Sequence, residues 1–132
     1  MEDQERRELG MDVRRGVLGD VHVDRTVANL NDFNQDFQDL ITRYAWGEIW
    51  ARPGLSRHTR SLLTLGTMVA LNREEEFKMH IRAAFNNGVT RAEIAEVLLQ
   101  SAIYCGLPAA NSAFNWAQQV FAAVDVTSVP ER

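Results

Sequence analysis

The strongest constraint on the fold is a helix stop signal and a helix start signal that lie two residues apart. Gly88 is typical of the left-handed position just past the end of a helix. Thr90 and Glu93 form a Thr-x-x-Glu capping box, which begins a new helix. The pattern therefore predicts two helices within residues 73–111 that fold back on one another as a hairpin.

The first helix of this hairpin carries a histidine, His80, at the border of an apolar stripe. The stripe recurs at helical spacing and consists of Phe77, Ile81, Ala84 and Phe85. Glu76 lies one turn before His80 on the same face, where a carboxylate can fix the imidazole tautomer and raise its basicity. Two interpretations stay open: a histidine at the edge of a core, or an acid–base group.

A second candidate feature is the cationic first turn of the helix predicted after Ser56. It contains Arg57, His58 and Arg60, although the N-terminus of a helix is the positive end of its dipole. A salt bridge to Glu48 or Glu76 is one explanation. The other is an anion pocket for a carboxylate substrate, because a guanidinium matches two carboxylate oxygens.

The rest of the chain also favours helices. Residues 2–15 predict a short surface helix, and residues 17–25 look extended. An apolar face from Val27 to Tyr44 predicts one long amphipathic helix, capped by Asp24. No strand pattern of any length follows, so we expect an all-α fold of about six helices.

Further predictions concern the segments around the hairpin. Pro53-Gly54 favours a type II turn. The helix after Ser56 is apolar on almost every side beyond its first turn, which predicts a central buried helix up to about residue 72. Gly106 and Pro108 predict the end of one helix and the start of the last, alanine-rich one, which runs to about residue 124.

Composition bounds the class of protein. The chain has 132 residues, a net charge of −4 and one cysteine, Cys105. We expect a single domain, 1–132, with an N-terminal extension (1–20) and a frayed tail (125–132). An intrachain disulfide is excluded, a reducing compartment is favoured, and no signal peptide or membrane span is recognisable. We therefore expect a cytoplasmic protein that does not bind nucleic acid or membranes.

Other sequence features exclude or suggest partners. There is no glycine-rich phosphate loop and no nucleophile elbow, and the three histidines lack metal-ligand spacing, so no metal is predicted. The aromatic stretch 44–50 and the alanine-rich last helix offer more apolar surface than one small bundle needs. Self-association into a homo-oligomer is therefore expected.

Three segments together resemble the carboxymuconolactone decarboxylase family. The first combines Arg43–Trp50, which contains Trp-Gly-Glu-x-Trp, with Arg-Pro-Gly-Leu at 52–55 and Arg-Ser-Leu at 60–62. The second is His80-x-x-Ala-Ala-x-x-Asn-Gly-Val-Thr-x-x-Glu-Ile. The third is the run from Ile103 to Ala110. The likeness extends over residues 10–123.

The resemblance implies a fold and a reaction. The fold is the all-α bundle with a central helical hairpin that is shared with alkylhydroperoxidase D-like proteins, built as a symmetric oligomer, often a hexamer. The reaction is loss of CO2 from 4-carboxymuconolactone to give 3-oxoadipate enol-lactone, in the protocatechuate branch of the β-ketoadipate pathway.

Two alternatives remain on the same scaffold. The peroxidase branch of the superfamily carries Cys-x-x-Cys ahead of the histidine, and the corresponding positions here are Arg73 and Glu76, so disulfide chemistry is disfavoured. A non-catalytic oligomeric binding protein fits the helical pattern equally well.

The implied reaction needs no cofactor, because the lactone carbonyl is conjugated to the carbon that loses CO2 and accepts the electron pair. The protein must hold the retained carboxylate, stabilise the enolate and deliver a proton. For catalysis we name His80 as proton donor or enolate stabiliser, Glu76 as the group that poises it, and Glu48 as a group that orients an arginine or shares in proton transfer. The substrate-binding candidates are Arg60, Arg57 and Arg52 for the carboxylate, and Trp46 and Trp50 as an apolar wall.

Overall fold

The computed structural model describes residues 1–124, and these are almost entirely helical. The α-helices are α1 Asp3–Leu18, α2 Asp20–Ala28, α3 Gln35–Ile41, α4 Arg57–Leu71, α5 Glu74–Asn86, α6 Arg91–Cys105 and α7 Leu107–Ala123. A π-helical segment, Thr42–Ile49, continues α3. No strand occurs within the described residues, which confirms the all-α prediction. The tail predicted to be frayed, 125–132, lies outside them.

The chain divides into two compact units, residues 1–57 (unit 1) and the residues from His58 onward (unit 2). In unit 2, four helices contribute to one apolar core, whose fully buried members include Leu65 of α4, Phe77 and Ile81 of α5, and Leu98 of α6. Helix α7 packs against both α5 and α6. Its buried face consists of Ala110, Ala113, Ala117 and Val120, and small side chains there let neighbouring helices approach closely.

The turn between α5 and α6 has the predicted construction. Gly88 has φ = 83°, the left-handed conformation that a side chain would strain. The hydroxyl of Thr90 accepts a hydrogen bond from the Glu93 backbone N–H (3.1 Å), and the Glu93 carboxylate accepts one from the Thr90 N–H (2.9 Å). The two helices and their capping box are confirmed.

Unit 1 depends on close packing of α1 against the π-helical segment. A Cβ added at Gly10 would lie 1.9 Å from the carbonyl oxygen of Thr42, and one added at Gly47 would lie 2.4 Å from the carbonyl oxygen of Arg6. Both values are far below van der Waals contact. The two backbones approach this closely only because both positions lack side chains.

Two predictions for the first third of the chain were wrong. Residues 20–28, which include much of the stretch predicted to be extended, form α2. The single long helix predicted over 24–44 is interrupted between α2 and α3. The side chain of Asn31 accepts hydrogen bonds from the Phe33 and Asn34 N–H groups, and such local bonds offer the backbone an alternative to a helix.

Two predictions around α4 were also wrong. Gly54 is not among the glycines with positive φ, so Pro53-Gly54 is not a type II turn. Helix α4 begins and ends where expected, yet only Ser61, Leu65 and Val69 are buried, and Leu63 is 58% exposed. Apolar residues lie on nearly every face of α4, but only one face of the helix is buried within this chain.

Candidate active site

His80 lies on the inner side of α5. Its neighbours Phe77 and Ile81 are fully buried, and His80 itself is 8% exposed, with its Nδ1 atom buried. The apolar stripe of α5 thus carries the imidazole into unit 2, as its spacing predicted. Burial to this extent excludes most water from the imidazole.

Glu76, named as the partner that poises His80, is exposed. Within residues 1–124, no hydrogen bond or ion pair joins its carboxylate to another side chain. On the same helix, Glu74 instead forms an ion pair with Lys78 (2.8 Å), which also donates to Gln119 of α7 (2.8 Å). The structure therefore does not bring the Glu76 carboxylate to the imidazole.

In the first turn of α4, His58 contacts a carboxylate other than the two that the sequence suggested. His58 Nε2 lies 2.8 Å from Oε2 of Glu93, on α6. Neither expected partner takes this place: Glu48 pairs with Arg6 (3.6 Å), and Glu76 is exposed. His58 thus has a carboxylate partner, Glu93, whereas the salt bridge expected for Arg57 and Arg60 stays a prediction.

The contacts of Glu93 also change the proton affinity of its carboxyl group. The hydrogen bond from His58, followed by the one from the Thr90 backbone N–H, lowers the pKa of the Glu93 carboxyl. Both contacts favour the charged form, because each places a donor on the carboxylate.

Arg60 lies one turn further along α4 than Arg57 and is half-buried, with its Nε atom buried. The next residue, Ser61, is completely buried and accepts a hydrogen bond from the side-chain amide of Asn87 (2.9 Å). This bond joins α4 to the C-terminal end of α5, the helix that carries His80. The two residues are 26 positions apart, so no local sequence pattern predicts the contact.

The remaining candidates belong to unit 1. Trp46 is buried and Trp50 half-buried, and their ring centroids lie 5.2 Å apart at 36°. Glu48 is exposed and lies 3.6 Å from Arg6, so it does meet an arginine, although not one that the sequence had singled out. Arg52 and Arg57 are exposed.

Two grooves in unit 2 are distinct from the position of His80. One, of about 1010 Å³, lies between α4 and α6, and the other, of about 560 Å³, lies between α6 and α7. Neither is lined by His80 or Arg60.

Between residues 1 and 124, no three His, Cys, Asp or Glu side chains are grouped so that they could hold a metal ion. None of the helices there combines the length and apolar character that crossing a membrane requires.

Comparison with known proteins places these features in a family. A family model described as the carboxymuconolactone decarboxylase family matches residues 35–119, which include parts of both units. The chain belongs to the carboxymuconolactone decarboxylase family. The resemblance read from the three sequence segments is confirmed.

Relatives within the carboxymuconolactone decarboxylase family cover the chain to different extents. A 4-carboxymuconolactone decarboxylase of Acinetobacter baylyi is 54% identical over 132 residues, which are the whole of this chain and 97% of the relative. A nitrosuccinic acid decarboxylase of Metarhizium robertsii is 48% identical over 99 residues, 75% of this chain and 69% of the relative. A 4-carboxymuconolactone decarboxylase of Pseudomonas putida is 56% identical over 48 residues, 36% of this chain and all of the relative.

The Glu93 contacts predict an acid-sensitive part of the folding free energy. The pKa of Glu93 is lower in the folded chain than in the unfolded one. The stabilisation that its charge gives is therefore fully present at pH values above the pKa in the unfolded chain. This stabilisation is lost as pH falls through the pKa in the folded chain. Glu93→Gln keeps a side chain suited to the capping box and removes the charge. Urea titrations between pH 7 and pH 3 should therefore give a flatter pH dependence of stability for Glu93→Gln than for the wild type.

Glu96→Gln is the matched control, since Glu96 lies on the same helix and is exposed. It should keep the wild-type pH dependence. Parallel curves for the wild type and Glu93→Gln would contradict the stabilising role of the Glu93 charge.

Proposed function

We propose that this protein decarboxylates 4-carboxymuconolactone to 3-oxoadipate enol-lactone and CO2, in the protocatechuate branch of the β-ketoadipate pathway. The observation that carries the proposal is the 54% identity to the Acinetobacter baylyi 4-carboxymuconolactone decarboxylase over the full chain. An identity of this extent, with nearly equal lengths, favours the same reaction class: a carboxy-lyase acting on a small lactone dicarboxylate.

The chemistry of the substrates named for the relatives supports a common mechanism. In 4-carboxymuconolactone, the electron pair left by departing CO2 flows into the conjugated lactone carbonyl and gives a dienolate. In nitrosuccinic acid, a nitro group can accept the pair in the same way. A substrate that contains its own electron acceptor does not need a cofactor that accepts electrons. The protein has to bind this substrate, stabilise the developing charge and supply a proton.

We assign proton delivery to His80. An imidazole titrates near neutral pH and can protonate the far carbon of the dienolate or donate a hydrogen bond to its oxygen. The buried position of His80 in unit 2 supports this role, because exclusion of water strengthens electrostatic stabilisation. The exposed Glu76 receives no role in this mechanism.

We assign to Arg60 the binding of the carboxylate that the substrate retains. Its guanidinium presents donors in a planar fork that matches two carboxylate oxygens. Arg60 is half-buried on α4, which the Ser61–Asn87 hydrogen bond joins to the helix of His80. The candidates of unit 1, Arg52 and Arg57 with the tryptophan pair and Glu48, are not needed for this assignment.

We also propose that the protein acts in the cytoplasm as a homo-oligomer, with the hexamer of the family resemblance as the expected form. Several large apolar side chains are exposed on the single chain: Phe33 is 96%, Tyr104 82%, Ile103 77% and Leu107 73% exposed. Burial of such side chains against other copies would remove apolar surface from water. The single cysteine is consistent with a reducing compartment.

Substitution of His80 tests the proton-transfer role. Turnover of freshly prepared lactone, followed by ultraviolet absorbance with a chelator present, should fall on the order of 10²-fold or more in His80→Ala. His80→Gln keeps a hydrogen-bond donor but cannot transfer a proton, so it should be equally impaired if His80 moves a proton. Recovery in His80→Gln would assign His80 to enolate stabilisation.

His58→Gln serves as the control for His80, since it replaces the other histidine of unit 2 with a side chain that can still donate a hydrogen bond to Glu93. It should keep nearly wild-type turnover at pH 7. Circular dichroism of each variant separates loss of activity from loss of folding. Undiminished turnover in both His80 variants would remove His80 from the mechanism.

Substitution of Arg60 tests the carboxylate role. Arg60→Lys keeps the charge but loses the planar fork, so we expect KM to rise by about tenfold, which corresponds to roughly 1.4 kcal/mol of binding free energy. Arg82→Lys, an exposed position on α5, is the control and should leave KM unchanged. A KM for Arg60→Lys equal to that of the wild type would make Arg60 a structural residue.

The oligomer is tested by sedimentation equilibrium. The chain mass is 14.9 kDa, and we expect a particle of several times that mass. A replacement of the exposed Ile103 by Glu should shift the particle toward smaller species, because a buried charge would destabilise the contact. A wild-type particle of monomer mass at micromolar concentration would contradict the proposal.

A further inference from the structure

Two neighbouring arginines of α1 have opposite surroundings. Arg15 is close to two carboxylates, Asp24 (2.8 Å) and Asp20 (3.1 Å), and their hydrogen bonds raise its pKa. Arg14 is 7% exposed, and within residues 1–124 no carboxylate lies within ion-pair distance of it. Burial lowers the pKa of Arg14, because it removes water from the charged group.

The contacts of Arg14 are all with neutral acceptors. Nη1 donates to the hydroxyl of Thr42 (3.3 Å), and Nη2 donates to the side-chain oxygen of Gln38 (3.0 Å). Nε is buried, and the described residues supply it with no hydrogen-bond partner. The guanidinium therefore uses two of its five N–H groups in these bonds, and its buried Nε–H is among those that the described residues leave without an acceptor.

Several other arginines of unit 1 lie close to a carboxylate. Arg6, Arg7 and Arg43 each lie within 4 Å of an aspartate or glutamate. Carboxylates are thus available in unit 1, yet none meets the most buried of these arginines. A buried guanidinium without an anion carries a desolvation penalty, which neutral acceptors offset only in part.

The geometry of the guanidinium indicates where an anion would bind. The Nε–H and one Nη2–H point from the same edge of the planar group, and together they match the two oxygens of a carboxylate. Of the two donor atoms on this edge, Nη2 donates to Gln38, and Nε has no acceptor among the described residues. Gln38 lies on α3, a short helix without a fully buried residue, so movement of its side chain would free the Nη2 donor.

We propose that the Nε–Nη2 edge of Arg14 is a carboxylate-binding site in unit 1, which the amide of Gln38 occupies when no ligand is bound. Its ligand class is a small aliphatic carboxylate. The dicarboxylate substrate and the monocarboxylate product of the proposed function both belong to that class, so the natural ligand rests on the proposed function. The site itself rests only on the contacts of Arg14.

Nuclear magnetic resonance of the wild-type chain gives a test that requires no variant to fold. A buried arginine N–H exchanges slowly with water, so the ¹⁵Nε signal of Arg14 is observable. Addition of succinate, a non-reacting dicarboxylate, should shift this signal saturably. Succinamide, the neutral analogue, and sodium chloride at equal ionic strength should not.

Three variants make the test specific. Arg14→Lys should weaken succinate binding at least tenfold, because lysine lacks the two-donor edge, whereas the control Arg15→Lys should bind like the wild type. Gln38→Glu places an internal carboxylate against Nη2. It should abolish succinate binding and raise the melting temperature, because it supplies the missing counter-charge.

Defined results would overturn the proposed site. The absence of a saturable shift in the wild type overturns the site, as does unchanged succinate affinity in Arg14→Lys or in Gln38→Glu. Succinate binding that depends on Arg14, in a protein that does not turn over the lactone, would refute the decarboxylation and keep the site. Turnover of the lactone without succinate binding at Arg14 would refute the site and keep the decarboxylation.

Discussion

The carboxylate of Glu93 is the interaction on which the arrangement of unit 2 depends. One of its oxygens accepts the Thr90 N–H and fixes the start of α6, and the other lies 2.8 Å from His58 at the start of α4. The Glu93 side chain thereby contacts the first turns of both α4 and α6. The capping box that it completes lies in the turn that directly follows α5. The helices that carry Arg60 and His80 are held by these contacts and by the shared core.

Unit 1 is organised by a different constraint, the absence of side chains at two glycines. Gly10 meets the carbonyl of Thr42, and Gly47 meets the carbonyl of Arg6, so α1 lies directly on the π-helical segment. One turn beyond Gly10, the same face of α1 directs Arg14 to the hydroxyl of Thr42. A π-helix widens the turn and is frequent at functional sites, and here it accompanies the buried guanidinium.

Local sequence signals predicted the helix ends well where residue chemistry forces them. Gly88 requires a positive φ, and Thr90 with Glu93 completes a cap within three residues, so both could be read from the chain. The apolar stripe over residues 27–44 predicted one helix, because the spacing of apolar residues does not reveal where a helix is interrupted. The hydrogen bonds of Asn31 and Asn34 stop the helix there, and Phe33 stays 96% exposed.

The sequence by itself determined the all-helical class, the capped turn and membership of the carboxymuconolactone decarboxylase family, because each depends on residues close together in the chain or on a long run of matched positions. Tertiary structure alone decided which charges meet and which are buried. His58 and Glu93 are 35 residues apart, and Arg14 and Thr42 are 28 apart. Such pairings follow from how helices pack in space. Arg14 and Arg15 are chemically identical neighbours, and only packing separates the buried guanidinium from the one that salt bridges neutralise.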